Sequence, residues 1–433
     1  MASHTINRAG GYETIMEKTV WELDVKYAGE TRSSKITRVR QLMAKEGTKE
    51  QAVSNLEDIA WILNLRGNYE EHRPVFLSYL IIDSENATLF GKRADFSDNL
   101  IKCLFEEGIN FEEYDEKADY AKELQREEPY DEIGPMALFK AIKNDIEIDN
   151  FKKVNIKDGV AMVKLLYWLQ ENAAKEEITE FDVADKIIEL RSVNEDYLGE
   201  SFPAIIGYQE HGVIIHYHAT EATNAIIKAK GMLLIDTGGH YLSGTTDTTR
   251  TITLSEPTEA QKRHYTAVLK GNLNLGNTKF HQGTLGIELD ELARRPVQDI
   301  GLDYAHGTGH GVGYVLNVHE GPQRITKQGK NANEVPLQAG MITSNEPGVY
   351  IEDEYGIRLE NVTLCRGVDG DEQVLEFETL TMVPFDINLI NASELTDTQK
   401  QCLNEYHENV YQTLLPHLGK EEGEWLAKIT AKV

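Results

Sequence analysis

Three observations on this 433-residue chain predict a mixed α/β (α+β) fold built as a smaller first part and a larger second part. Strand-like apolar runs alternate with helix-like stretches between residues 28 and 148, the pattern of a small α/β domain. Near residue 148 the pattern changes to a long amphipathic helix. Strand-like segments then dominate the middle of the remainder, and helix returns from Thr396 onward. At ~100–200 residues per domain, the length allows two to three domains.

Residues 1–27 have weak periodicity and read as a leader or linker. Ile36, Val39, Leu42 and Met43 recur at helical spacing within Ser33–Lys45. Ala60-Trp61-Ile62-Leu63, Val75–Ile82 and Ala87-Thr88-Leu89-Phe90 read as buried strands. Phe96–Phe105 and the Glu- and Lys-rich stretch after Glu113 read as helices. In the second part, 149–433, Ile156, Val160, Val163, Leu166 and Leu169 mark one face of a helix. Thr179-Glu180-Phe181-Asp182 and Thr258-x-x-Gln261 look like capping boxes that open two more. Val213–His216, Met232–Asp236, Thr248–Leu254 and Arg358–Leu364 read as strands.

Lys and Arg number 44 against 72 Asp and Glu, a net charge of −28. That balance argues against nucleic-acid or anionic-membrane partners, which need a basic surface. Its simplest meaning is a well-solvated surface. The three cysteines, Cys103, Cys365 and Cys402, are far apart and form no Cys-x-x-Cys, so a disulfide framework or structural zinc site is not expected. A reducing compartment fits, and Met1–Tyr12 lacks the apolar core of a signal peptide. We therefore expect a cytoplasmic protein.

Five short segments concentrate groups able to ligate metal. Asp236 follows apolar Leu234 and Ile235, so its carboxylate should emerge from a buried strand. Asp247, in Gly244-Thr245-Thr246-Asp247, lies 11 residues later, and the glycines between permit the two segments to pair as a hairpin. His306-Gly307-Thr308-Gly309-His310-Gly311-Val312-Gly313 packs four glycines and two histidines into eight residues. It lacks the Lys-Ser/Thr ending of a phosphate loop, and its glycines would let backbone approach a ligand closely. Asn345-Glu346-Pro347-Gly348 is a turn, and in Gly356–Asn361 the side chains of Arg358 and Glu360 share one strand face. Taken singly, each Asp is more simply a turn former and each His a surface or core residue. Together, four buried carboxylates without a cation would be very costly, so convergence of the five segments calls for a metal. Carboxylates with one imidazole favour manganese or cobalt, with zinc also acceptable, and so many carboxylates suit two ions with bridging ligands.

The ordered set Asp236, Asp247, His310, Glu346, Glu360 resembles the signature of the methionine aminopeptidase, aminopeptidase P and prolidase superfamily, whose catalytic fold is the pita-bread fold. Ile214-Ile215-His216-Tyr217, the His306–Gly313 segment, Asn317-Val318-His319-Glu320-Gly321-Pro322 and Gly356–Asn361 look like aminopeptidase P. Ala60–Gly67 and Glu71–Phe76 look like that family's middle domain, and the likeness spans about residues 25–433. Nothing matches the first domain of the larger, three-domain members. His218-Ala219-Thr220 stands where Ala-Pro is expected in many relatives.

The resemblance implies a pita-bread domain holding two divalent ions, manganese foremost, with zinc or cobalt as alternatives. Asp236 would bind one ion, Asp247 and Glu360 both, and His310 and Glu346 the other. Glu346 would also carry the proton from the attacking water to the leaving nitrogen. His319 would support the carbonyl oxygen, His216 and His306 would shape the proline side, and Arg358 would hold a ligand carboxylate. The substrates implied are peptides with N-terminal Xaa-Pro, and a homodimer stays open. The alternatives are a prolidase limited to dipeptides and a non-catalytic pita-bread binding protein.

Overall fold

The structure is a computed structural model that describes residues 19–115, 134–328 and 335–433. Its first part is a four-stranded sheet in the order Glu50–Val53, Ser78–Asp83, Ala87–Gly91, Ile109–Glu113. The last pair is parallel and the others antiparallel. The helices Arg32–Glu46, Leu56–Leu63 and Asp98–Glu106 pack on it around Ile59, Leu80, Leu89 and Leu104, all fully buried.

Three expectations for this part are corrected. Ala60–Leu63 is not a strand but the end of the helix Leu56–Leu63, which Asn55 opens by accepting from the Glu57 and Asp58 amides. The helix is buried on nearly every side, so its apolar run carries no helical period to read. Residues 19–27 are not a loose leader. Trp21–Glu22 pairs with Leu65–Arg66, and Leu23 is buried at 1% exposure because it fills the core beside the long helix. The expected strand Val75–Ile82 begins only at Ser78, since Val75 and Phe76 pack beneath Gly67. Most of the expected helix after Glu113 lies outside the described residues.

The second part opens with the helix Asp145–Asn172, whose Asn144–Glu147 capping box starts it. The expected capping boxes at Thr179 and Thr258 open Glu180–Arg191 and Glu259–Gly276. These helices cover three sheets. One is ordered Thr248–Thr253, Met232–Thr237, Ile205–Tyr208. A second joins Gly244–Thr245, Gly239–Tyr241 and Tyr197–Glu200. The third has six strands, with Asn361–Val368, Ile342–Asn345 and Gly309–Gly311 adjacent at its centre.

Val213–His216 is not a strand. The chain turns through a short 3-10 helix, Gln209–Val213, and folds back so tightly that a Cβ on Gly207 would stand 2.7 Å from the Gly212 Cα. Arg358–Leu364 is not one strand either. Tyr355–Arg358 pairs with Gly348–Ile351, whereas Asn361–Val368 joins the six-stranded sheet. The break at Leu359-Glu360 passes the chain from one sheet to the other, and the Glu360 amide donates to the Thr249 carbonyl at 3.1 Å.

Candidate metal centre and active site

Asp236 and Asp247 converge because their strands pair. Met232–Thr237 runs antiparallel to Thr248–Thr253 with Asp236 opposite Thr249 and Thr237 opposite Thr248, so Asp247 stands just past the end of the ladder. Leu233 and Ile235 point into the core on one side of this strand. Alternation sends Asp236 to the other face. Thr249 shares that face and donates to the Glu360 carboxylate at 2.8 Å.

His310 arrives on the strand Gly309–Gly311. Its amide donates to Ser344 Oγ at 2.9 Å, and Ser344 in turn donates to Glu346 at 3.2 Å. His310 Nδ1 lies 2.9 Å from the Gly311 carbonyl, which fixes the proton there and leaves Nε2 as a lone pair. That Nε2 is 3.4 Å from Asp247 and 3.6 Å from Glu346. Gly309 and Gly311, on either side of His310, are needed for close strand packing. A Cβ on Gly309 would meet the Ser344 carbonyl at 2.1 Å, and one on Gly311 the Glu320 carbonyl at 2.1 Å.

Ligating atoms of Asp247, His310 and Glu360 lie within 4.8 Å of one another. Glu346 joins them through His310. Asp236 joins through Arg358, whose Nη2 donates to Asp236 Oδ2 at 2.5 Å. The other oxygen, Asp236 Oδ1, is buried without a hydrogen-bond partner. An orphaned carboxylate oxygen beside buried Asp247 and Glu360 and the partly buried Glu346 is the donor set a divalent cation satisfies, so these residues fit a metal.

The electrostatics agree. Burial, then Asp236 and Glu346, push the Asp247 carboxyl far above its usual range. Burial and Asp247 do the same to Glu360, and burial and Glu360 to Glu346. Burial lowers His310 to about 4, so its imidazole is neutral near pH 7.

The remaining expected residues surround this cluster. The His319 ring lies 4.4 Å from that of His310, and its pKa falls to about 3 through His310 and burial. His306 is lowered to about 3 by burial and Arg358, and its Nε2 lies 2.8 Å from the Tyr350 hydroxyl. His216 is exposed at the rim, close enough for its charge to act on His306 and His319.

Sequence reasoning missed Tyr350, which accepts from Arg358 Nη1 at 2.8 Å and so links His306 to the Arg358–Asp236 pair. It also missed Asn272, whose amide donates to the Asn345 and Leu359 carbonyls at 3.0 Å and holds together the turns that carry Glu346 and Glu360. Asn272 lies on a helix, where only its burial at 2% exposure marks it out.

Residues 149–366 match the family described as Metallopeptidase family M24. Residues 14–133 match the Creatinase/Prolidase N-terminal domain, and 373–433 the C-terminal region of peptidase M24. The chain is 37% identical to the probable Xaa-Pro aminopeptidase P of Arthroderma gypseum, over 94% of this chain and 70% of that protein. It is 36% identical to Xaa-Pro aminopeptidase 1 of Dictyostelium discoideum, over 93% and 68%. Among solved structures it is similar to the X-prolyl aminopeptidase of Caenorhabditis elegans, a cytosolic enzyme with a di-nuclear active site. That likeness has a TM-score of 0.89 at 30% identity and covers 96% of this chain and 73% of that one. The Pyrococcus horikoshii prolidase, at 22% identity and a TM-score of 0.62, shares the fold. With a creatinase-type domain leading into a buried carboxylate–histidine cluster, and with these matches along nearly its whole length, the chain belongs to metallopeptidase family M24.

Proposed function

We propose that this chain is a metal-dependent Xaa-Pro aminopeptidase, releasing the first residue from peptides whose second residue is proline. The observation that carries the reading is the gathering of Asp236, Asp247, His310, Glu346 and Glu360 in a chain 36–37% identical to proteins of that name. The small domain is read as residues 28–148 and the catalytic domain as 149–433. Likeness to a cytosolic enzyme supports a cytoplasmic location. Among the described residues no helix is long and apolar enough to cross a membrane.

Asp236, Asp247, His310, Glu346 and Glu360 would hold two divalent cations, Asp247 and Glu360 contributing to the ligand sets of both. Manganese is the metal proposed, on the oxygen-rich donor set. When bound, the cations supply charge that acidifies a water and polarises the scissile carbonyl. Glu346 takes the proton from the attacking water and hands it to the leaving proline nitrogen. His319, neutral at pH 7, donates to the carbonyl oxygen as it gains charge. Arg358 holds Asp236 in place, and Tyr350 ties Arg358 to His306. His216 and His306 shape the side that receives the proline ring.

An Xaa-Pro amide lacks the N–H that backbone-binding proteases use, so a pocket for the ring selects it. Fitting the ring contributes ~1–3 kcal/mol over a smaller side chain, so Xaa-Ala-Yaa should be cut ~10–200-fold more slowly than Xaa-Pro-Yaa. The test is hydrolysis of Xaa-Pro, Xaa-Pro-Yaa and Xaa-Ala-Yaa with manganese. Fast hydrolysis of the dipeptide alone makes the protein a prolidase. Equal rates on Pro and Ala remove the proline pocket.

A further inference from the structure

Arg66 is a fully buried cation that the chemistry above does not use. It lies in the small domain, at the end of the strand Leu65–Arg66. Among the described residues no carboxylate forms an ion pair with it. Its donors go instead to four carbonyls: Nη1 to Ala60 and Leu65 at 2.9 Å, Nη2 to Tyr314 at 2.9 Å, and Nε to Val315 at 2.5 Å. Two of those carbonyls belong to its own domain and two to the catalytic domain, 248 and 249 residues away.

The turn it grips is strained. Val315 is β-branched and fully buried, yet its φ is +51°. β-Branched residues hold that conformation only when the surroundings impose it. Here the imposing groups are Arg66 on the carbonyls and Thr245 Oγ1, which accepts the Val315 amide at 3.0 Å. The turn lies midway between His310 and His319.

A second tie reaches the same loop from the same domain. Glu57, at the N-terminus of the helix Leu56–Leu63, lies 3.5 Å from Lys140 Nζ, which stands 3.8 Å from the Glu320 carboxylate. The Asn317 Oδ1 accepts the His319 backbone N–H at 3.1 Å. Next to His319, Glu320 is fully buried and takes Lys143 Nζ at 2.5 Å, with Lys140 spanning Glu320, Asp58 and Glu57. His319 itself spends its backbone, not its ring, on these contacts, which leaves the ring directed by where the loop is held.

We propose that Arg66 is a positioning residue: by clamping the Tyr314–Val315 turn it sets where His319 stands, with Glu57 acting on the same loop through Lys140 and Glu320. The small domain thereby becomes part of the catalytic geometry rather than only a cover. The inference rests on the role given to His319 above.

The test is a double-mutant cycle on the metal-loaded full chain. Arg66→Lys keeps the charge but loses the planar fork, and Glu57→Gln keeps the shape but loses the charge. Each is assayed on an Xaa-Pro-Yaa peptide alone and combined with His319→Ala. Displacement of one donor predicts a kcat loss of roughly 10–100-fold with KM and metal content unchanged. In the His319→Ala background neither substitution should cost more, because the group it positions is gone. Further loss in that background, or unchanged kcat in both single variants, overturns the proposal. If Arg66→Lys does not fold, Glu57→Gln decides alone. A His319→Ala enzyme with full activity would overturn the role of His319 itself, an outcome distinct from additive losses.

Discussion

Replacing Asp247 by Asn should invert the order of stability between metal-stripped and metal-loaded protein. Ligating atoms of Asp247 and Glu360 lie within 4.8 Å, so with an effective dielectric near 20 their repulsion is about 3 kcal/mol. Asp236 and Glu346 add to it, and without a cation Arg358 offsets only part of it. The folded-state pKa of Asp247 is raised above its unfolded value of about 3.9. The stability it allows is therefore fully present below about pH 4 and is lost as pH rises through the folded pKa. At pH 8 the stripped wild-type protein bears that loss, and the Asn variant does not. We expect stripped Asp247→Asn to be more stable by about 2–3 kcal/mol. Loading reverses the comparison. A cation at 100 times its Kd stabilises the native state by about 2.7 kcal/mol, and an amide at the shared position forfeits most of that. The assay is unfolding by urea at pH 8, with chelator and with manganese, plus metal analysis. A stripped variant less stable than stripped wild type would refute the repulsion argument. A variant that still gains the full stabilisation from manganese would refute the bridging role.

His319→Ala should leave metal content intact and lower turnover by roughly 10²–10³-fold; loss of metal would make His319 a ligand instead. Arg358→Met removes the partner of Asp236 and should weaken metal binding by roughly 10–100-fold in a chelator competition, with unchanged affinity counting against its orienting role. His407 is buried, accepts the Phe385 amide at Nε2, and is lowered to about 3 by burial and Arg250. Its folded pKa lies below the unfolded value of about 6.5, so the stability it supports is present above pH 6.5 and is lost as pH falls toward 3. His407→Gln keeps an acceptor for Phe385 and should flatten the acid branch of the stability curve by up to about 1.4 kcal/mol per pH unit; an unchanged slope would show that His407 does not titrate.

Several parts of this protein were legible from local chemistry. The capping boxes at Thr179 and Thr258 were readable because a cap and its partner lie three residues apart on one helix turn. The strand before Asp236 was readable because apolar Leu234 and Ile235 lead directly into a carboxylate. The five members of the cluster were findable because buried carboxylates need a cation wherever the chain brings them together. Ala60–Leu63 was misread because a helix buried all round has no polar face to set its period.

Only the tertiary structure decided how distant pieces close on one another. The break at Leu359-Glu360 exists because two sheets meet there, and nothing in an apolar–polar alternation announces a change of partner strand. Tyr350 and Asn272 act through carbonyls and side chains contributed by other elements. Arg66 is the extreme case, since a lone arginine in an apolar segment gains its meaning from a strained turn 249 residues away. Periodicity records what each residue meets along its own element. Which carbonyls, charges and turns it meets across the fold depends on packing many elements at once, and that is where the metal centre and the loop holding His319 are made.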